Sequence, residues 1–338
     1  MGRTSKRITV VVGLLVGALF LWLALRNVQL SAVASSLRTA NLWLAIPFLL
    51  ALAVFYWLKA VRWSILLRPT RDIPARELVP AMMIGFAGNN VLPVRLGELL
   101  RVFALGKEQD ISISTVFGTV VLERVFDVVT LLLLLTAALY ASPSTSTEFE
   151  AARTFILIAA ILAISAAYAI AASPAWLISL LKPIHRLLPT RLRPLISQRL
   201  TQLRQGFAVL TRSSGHVIIL IFINSIIQWA LLAFAIHMSI MAFDVGSDPT
   251  AAVLILGLLV AGISLPSAPA FVGTIEYCFV LGLGLFGVNP DIALSVGIYY
   301  HAITFVGVTL SGAYFLRRFN SSLGKMAKAA SAVRDAGT

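Results

Sequence analysis

From Val217 to Met241 the chain runs without one Asp, Glu, Lys or Arg. A bilayer's hydrocarbon core, roughly 30 Å thick, is crossed by about 20 apolar residues in a helix. The rest of the chain has the same character, with 59% hydrophobic and 12% charged residues. A soluble globular domain carries about 25% charged residues. Half that charge cannot cover the surface of a soluble protein of 338 residues. A soluble enzyme, a disordered chain and a disulfide-rich secreted module are thereby excluded. The single cysteine, Cys278, allows no internal disulfide, and no thiol cluster is available to hold a metal.

Six stretches read as full spans: Ile8–Leu25, Leu42–Leu58, Ser114–Tyr140, Phe155–Ala172, Val217–Met241 and Ile292–Leu316. The first follows Arg3, Lys6 and Arg7 and precedes Ala32-Val33-Ala34, a weak cleavage site. It is longer than the apolar core of a signal peptide, about 7–15 residues, so a retained anchor is expected. The second ends in a basic segment, Lys59, Arg62 and Arg68. Two further apolar regions, Leu78–Leu105 and Ala251–Val288, are interrupted by Pro and Gly.

Lys and Arg choose the cytoplasmic side. They crowd in 59–76, in 174–215 and in the tail after Leu316. The loop 141–151 has Glu148 and Glu150, and 242–250 has Asp244 and Asp248, with no Lys or Arg in either. Both termini are therefore expected in the cytoplasm. The net charge of +13 (27 Lys and Arg against 14 Asp and Glu) then belongs to topology and an anionic leaflet, not to nucleic acid. Leu78–Leu105 must enter and return from the inside, and Ala251–Val288 from the outside. Each is either a re-entrant hairpin or two spans. The order span, broken pair, span thus occurs twice, inverted, over 42–140 and 217–316. Leu92-Pro93 leads to Gly97 and Glu98, as Ala268-Pro269 leads to Gly273 and Glu276. Paired broken segments in inverted halves point to a transporter's binding site. Between the halves, Leu192, Ile196, Leu200, Leu203, Phe207 and Leu210 share one helical face. That makes 174–215 a basic cytoplasmic segment with an interfacial helix, or with a linker helix packed on a neighbour.

Ionised side chains at bilayer depth are costly and mark function by default. Arg95, Glu98 and Arg101 recur at intervals of three, and Glu123, Arg124 and Asp127 follow in the next span. The six charges sum to zero, as low dielectric demands. One reading is a structural ion-pair network, favoured for Glu123, Arg124 and Asp127. The other is an anion site, favoured for Arg95 and Arg101, whose forked donors suit phosphate. Gly85, Gly88, Asn89, Asn90 and Pro93 are expected to break the helix. A new helix would then start near Val94, with free N–H groups for an anion. In the second half Pro266, Pro269 and Gly273 mark irregular backbone, tolerated only where it lines a cavity or is buried. Glu276 either takes a cation or proton or pairs with an Arg. His301 is a proton relay or a packing residue. Asn224 and Gln228 share a face suited to helix–helix hydrogen bonds. No HExxH, Walker or GxSxG sequence is present, and His185, His216, His237 and His301 lack metal-ligand spacing.

Asn89-Asn90-Val91-Leu92-Pro93-Val94-Arg95-Leu96-Gly97-Glu98-Leu99-Leu100-Arg101, followed by Glu123-Arg124-Val125-Phe126-Asp127, resembles the lysylphosphatidylglycerol synthase transmembrane-region family of flippase-like proteins. Leu265-Pro266-Ser267-Ala268-Pro269, Gly273 and Glu276 resemble its second signature, over roughly 10–320 in all. That signature usually continues Pro-Gly-Gly, where this chain has Ala270-Phe271 after Pro269. The resemblance implies the lipid-moving half of such proteins without the aminoacyl-transferase domain. It also implies substrates such as phospholipids or polyprenyl-phosphate carriers.

The expectation is an all-α polytopic inner-membrane protein. It has about six spans and two re-entrant pairs in one transmembrane domain, 1–320, with a cytoplasmic tail, 321–338. It would move an anionic lipid between leaflets, using Asn89, Asn90, Arg95, Glu98, Arg101 and Glu276 as ligands. Pro93, Gly97, Pro266, Pro269 and Gly273 would act as hinges or gates. No cofactor and no metal are implied. The alternatives are a membrane-embedded glycosyl- or phospho-transferase, or a non-catalytic partner of a separate lipid-modifying enzyme, with oligomers possible in either case.

Overall fold

The computed structural model describes residues 3–92, 96–141, 147–172, 213–246, 248–265 and 268–335. Among the described residues there are eleven α-helices and no strand. They are α1 Arg3–Leu25, α2 Leu30–Thr39, α3 Ala45–Leu67, α4 Ala75–Val91, α5 Leu96–Glu108 and α6 Ile113–Ala141. The rest are α7 Thr147–Ala172, α8 Gly215–Met241, α9 Pro249–Ser264, α10 Thr274–Gly284 and α11 Pro290–Asp335. The interfacial segment expected in 190–212 lies outside the described residues.

Leu42–Leu67, Gly215–Met241 and Pro290–Arg318 are each long and apolar enough to cross a bilayer. Val11–Leu25 and Leu30–Thr39, bent by 82°, make a fourth if the pair is one span. The molecule is a multi-pass helical membrane protein. The helix expected to end at Leu58 runs on to Leu67. Its buried residues Phe48, Leu52, Phe55, Lys59, Arg62, Trp63 and Leu66 recur at three- and four-residue steps, so one stripe faces inward. Lys59 and Arg62 belong to that stripe rather than to a loop.

Both broken regions are pairs of short helices, α4 with α5 and α9 with α10. The first break falls later than the glycines suggest. Gly85, Gly88, Asn89 and Asn90 are all helical, and the chain becomes extended only at Leu92 (φ −94°, ψ 141°). The glycines serve close approach instead. A Cβ on Gly85 would lie 2.7 Å from Arg101 Cβ, and one on Gly97 would lie 2.7 Å from Asn89 Oδ1. Lipid is as apolar as leucine, so helices in a membrane gain little from burying leucines and rely on such small-residue contacts. Pro93, Val94 and Arg95 lie outside the described residues, as do Pro266 and Ser267.

The second break is tighter. Pro269–Phe271 forms a single 3-10 turn, and Gly273 (φ 83°) precedes α10. Ala270 (φ 60°) and Phe271 (φ 62°) are left-handed without being glycine. Glycine, usual here in the signature the sequence resembles, would adopt this backbone without strain. This chain keeps the backbone shape and bears its cost, on the order of 1–2 kcal/mol per residue. Helix α1 lies against this break, and a Cβ on Gly17 would come within 3.3 Å of the Val272 carbonyl oxygen. Helix α2 starts on α11, where the Gln29 N–H donates to Asp291 Oδ1 at 2.7 Å.

Two apolar cores flank the interior. One joins α3, α6, α8, α9, α10 and α11 through Phe48, Leu135, Ile236, Ile255, Phe279 and Tyr300. The other seats the α4–α5 pair on α3 and α6 through Trp63, Leu78, Met82, Leu105 and Val120.

Candidate functional site

Lys59 and Arg62 are three apart on α3, and Glu123 and Asp127 are four apart on α6, so each pair projects from one face. The faces meet. Lys59 Nζ donates to Glu123 Oε1 at 2.7 Å and lies 3.6 Å from Asp127 Oδ2. Arg62 Nη2 reaches Asp127 Oδ1 at 2.8 Å and Glu123 Oε1 at 3.2 Å, while its Nη1 donates to Ser225 Oγ on α8 at 2.7 Å. From α5, Arg101 Nη1 donates to Glu123 Oε2 at 3.2 Å. The Arg101 guanidinium lies over Trp63, 5.1 Å from the ring centre, and near Phe86. These faces offset its charge where Nε and Nη2 find no hydrogen-bond acceptor among the described residues. Arg124 Nη2 donates to Glu98 Oε1 at 2.6 Å, and Nη1 to Asp127 Oδ2 at 3.4 Å.

Glu123, Arg124 and Asp127 thus come together with Glu98 and Arg101. Two members escaped the sequence reading. Lys59 and Arg62 were counted as cytoplasmic loop charge, yet they are 6% and 0% exposed. Their spacing, matched to that of Glu123 and Asp127, was the available signal. Two arginines are also placed otherwise than expected. Arg101, expected to hold an anion, is 1% exposed and is committed to Glu123. Arg124, expected to be internal support, keeps 41% of its side chain exposed.

Arg124 opens on a cavity of about 220 Å³ at the meeting point of the two broken pairs. Asn89, Asn90 and Glu98 line it from α4 and α5, Ala270 and Phe271 from the second break, and His301 and Thr304 from α11. Asn90 Nδ2 donates to Thr309 Oγ1 at 3.1 Å, tying α4 to α11. Asn89 Oδ1 is buried, and no described residue donates to it. Arg124 is the one Lys or Arg among the described lining residues. The wall therefore offers a guanidinium, two amides and an imidazole. Each of these groups can donate a hydrogen bond.

Glu276 lies off this cavity and holds His301 at its edge. Glu276 Oε1 is 2.6 Å from His301 Nδ1, and Oε2 accepts the Gly273 N–H at 2.7 Å, capping α10. Pro269 and Gly273 bracket the turn that carries Ala270 and Phe271 into the wall. Gln228 Nε2 donates across to the Leu58 carbonyl at 3.4 Å, the helix–helix use expected of it, while its bond to Asn224 stays within α8. Among the described residues, no group of three His, Cys, Asp or Glu could hold a metal.

A UPF0104 membrane protein of Methanothermobacter thermautotrophicus is 24% identical over 284 residues, 79% of this chain and 82% of that protein. Glycosyltransferase AglD of Haloferax volcanii is 31% identical over 133 residues, 38% of this chain and 21% of that protein. No solved structure matches the chain. The family model for the lysylphosphatidylglycerol synthase TM region matches residues 10–312, which include both broken pairs, the charge network and the cavity. The chain belongs to the lysylphosphatidylglycerol synthase TM region family.

Proposed function

We propose that the protein moves a lipid with an anionic headgroup between the leaflets of the inner membrane, binding that headgroup in the cavity between the broken pairs. One observation carries the reading. Four cations, Lys59, Arg62, Arg101 and Arg124, meet three acids, Glu98, Glu123 and Asp127, and the half-exposed cation is the one on the cavity wall. Buried charge clusters need neutrality. Among the described residues this one carries a surplus of one positive charge, which an anion at Arg124 cancels. Asn89, Asn90 and His301 supply further polar contacts. The lipid's chains stay in the bilayer while the headgroup crosses.

The topology that suits this activity has six spans and two re-entrant pairs in inverted halves, with both termini in the cytoplasm. Support comes from the two short-helix pairs converging on one cavity and from the basic residues outside the spans. The carriers moved by such a site are phospholipids or polyprenyl phosphates. A transferase reading draws on the similarity to AglD, which covers 21% of that protein. It is weaker, because Glu98, the carboxylate on the wall, is engaged by Arg124 at 2.6 Å. Purified protein in vesicles should speed the leaflet exchange of fluorescent phosphatidylglycerol or a polyprenyl phosphate over empty vesicles. Unchanged exchange across a panel of anionic lipids sinks the proposal.

A further inference from the structure

We propose that the Glu276–His301 pair is a proton site linked to the anion site, so that a headgroup and a proton occupy the cavity together. This rests on the headgroup reading above and names what travels or binds with the headgroup. His301 lies on α11 within the apolar segment Pro290–Arg318. Its Nδ1 is 2.6 Å from Glu276 Oε1. The other carboxylate oxygen of Glu276 is fixed by the Gly273 N–H, so the acid is held from two sides. An ionised Glu276 makes Nδ1 the donor and leaves Nε2 as the basic nitrogen. No described residue hydrogen-bonds Nε2. The ring lines the 220 Å³ cavity and also an adjoining apolar pocket of about 260 Å³, lined by Ala270, Val272, Ile298, Ala302 and Phe305. A proton therefore has a vacant base on the shared wall.

The charges around the ring fix the sign of the effect. Among the described residues, the charged groups facing it are Glu276 from α10, Glu98 from α5 and Arg124 from α6. Glu98 and Arg124 pair with each other at 2.6 Å, and Arg124 also reaches Asp127 at 3.4 Å. The neighbours from α3 and α4, namely Tyr56, Asn89 and Asn90, are neutral. The charge that varies on this wall is that of the pair. It is −1 with a neutral imidazole and zero with an imidazolium. Each proton taken up adds one positive charge beside Arg124, in a medium where charges are poorly screened. Anion affinity therefore rises as pH falls, and by linkage the bound anion favours the proton by the same factor. Capping α10 uses Oε2 of Glu276 alone. A glutamine would suffice for that, so the histidine's second nitrogen on a cavity wall is unexplained by packing.

The test uses the purified full chain and glycerophosphoglycerol, a phosphodiester whose charge does not change between pH 6 and 8. Calorimetry in buffers of different ionisation heat counts protons taken up on binding. Movement of fluorescent phosphatidylglycerol in vesicles is compared at the same two pH values. The expected result is proton uptake with binding, affinity at least about 5-fold tighter at pH 6 than at pH 8, and faster movement at the lower pH. His301→Gln should weaken binding, since it removes a wall contact, and whatever binding is left should show neither proton uptake nor pH dependence. If that variant does not fold, Glu276→Gln, which keeps an acceptor for Gly273, should also suppress the uptake. Arg124-dependent binding or movement with no pH dependence overturns the proton linkage and leaves the lipid reading standing. pH dependence that survives in both variants also overturns it. No binding and no movement at either pH overturns the lipid reading, and this one with it.

Discussion

Lys59 and Glu123, 64 residues apart in sequence, meet at 2.7 Å in the interior. That contact closes α3 onto α6 and gives Glu123 three cationic neighbours, Lys59, Arg62 and Arg101. Breaking a buried pair from one side costs about 3–5 kcal/mol. Glu123→Gln should therefore lower the unfolding midpoint in detergent sharply. A variant as stable as the parent would show that the network contributes little to folding.

The buried Arg101 and the half-exposed Arg124 separate by experiment. Arg124→Ala should leave a folded protein with strongly reduced lipid movement, and Arg124→Lys should restore part of it, since a point charge cannot grip two phosphate oxygens as a fork does. Arg101→Ala should instead reduce the yield of folded protein, because it strips Glu123 of a partner and empties the space between Trp63 and Phe86. Transport per folded molecule that falls with Arg101→Ala and not with Arg124→Ala would reverse these assignments.

Ala270 is left-handed at φ 60°. Ala270→Gly should stabilise the protein by roughly 1 kcal/mol, because glycine pays no Cβ penalty in that region, offset in part by the freer unfolded chain. Thermal unfolding measures it. Destabilisation would mean that the Ala270 methyl is needed in the cavity wall.

Gly97→Ala should prise α5 from α4, since the added carbon would meet Asn89 Oδ1 at 2.7 Å and closer backbone atoms. Overpacking of this kind costs typically 1–3 kcal/mol. The expected sign is a lower unfolding midpoint together with weaker headgroup binding, because Asn89 lines the cavity. Unchanged stability would show that the hairpin is looser than described.

The orientation is checked by thiol labelling in a Cys278→Ser background. Gly246→Cys should react with an impermeant reagent from outside, and Thr70→Cys should react only after the membrane is opened. The reverse pattern would end the inverted-topology reading.

Sequence showed where the apolar helices lie and that two of the apolar regions are broken, because length and Pro/Gly interruption are local properties. It placed the first break a few residues early, since Gly85 and Gly88 read alike as breakers and as packing surfaces until α5 lies against them. It counted Lys59 and Arg62 as loop charge, because a basic run after an apolar stretch looks the same whether it leaves the membrane or turns inward. Only Glu123 and Asp127, brought opposite by the fold, decide between these. That Arg101 is buried and Arg124 faces the cavity was hidden for a similar reason. Spacing assigns a face to each helix, and the cavity's position relative to that face belongs to the assembled bundle. His301 could be marked as a candidate but not joined to Glu276, since their 25-residue separation spans the turn between α10 and α11.

The fit of α1 against the second break has a consequence for biogenesis. Gly17 leaves the ribosome some 250 residues before the Val272 carbonyl it packs beside. Until then α1 waits in the membrane with its glycine face unmatched. A chain interrupted before the second break would keep that face bare, a mark by which membrane quality control can tell an unfinished molecule from a finished one.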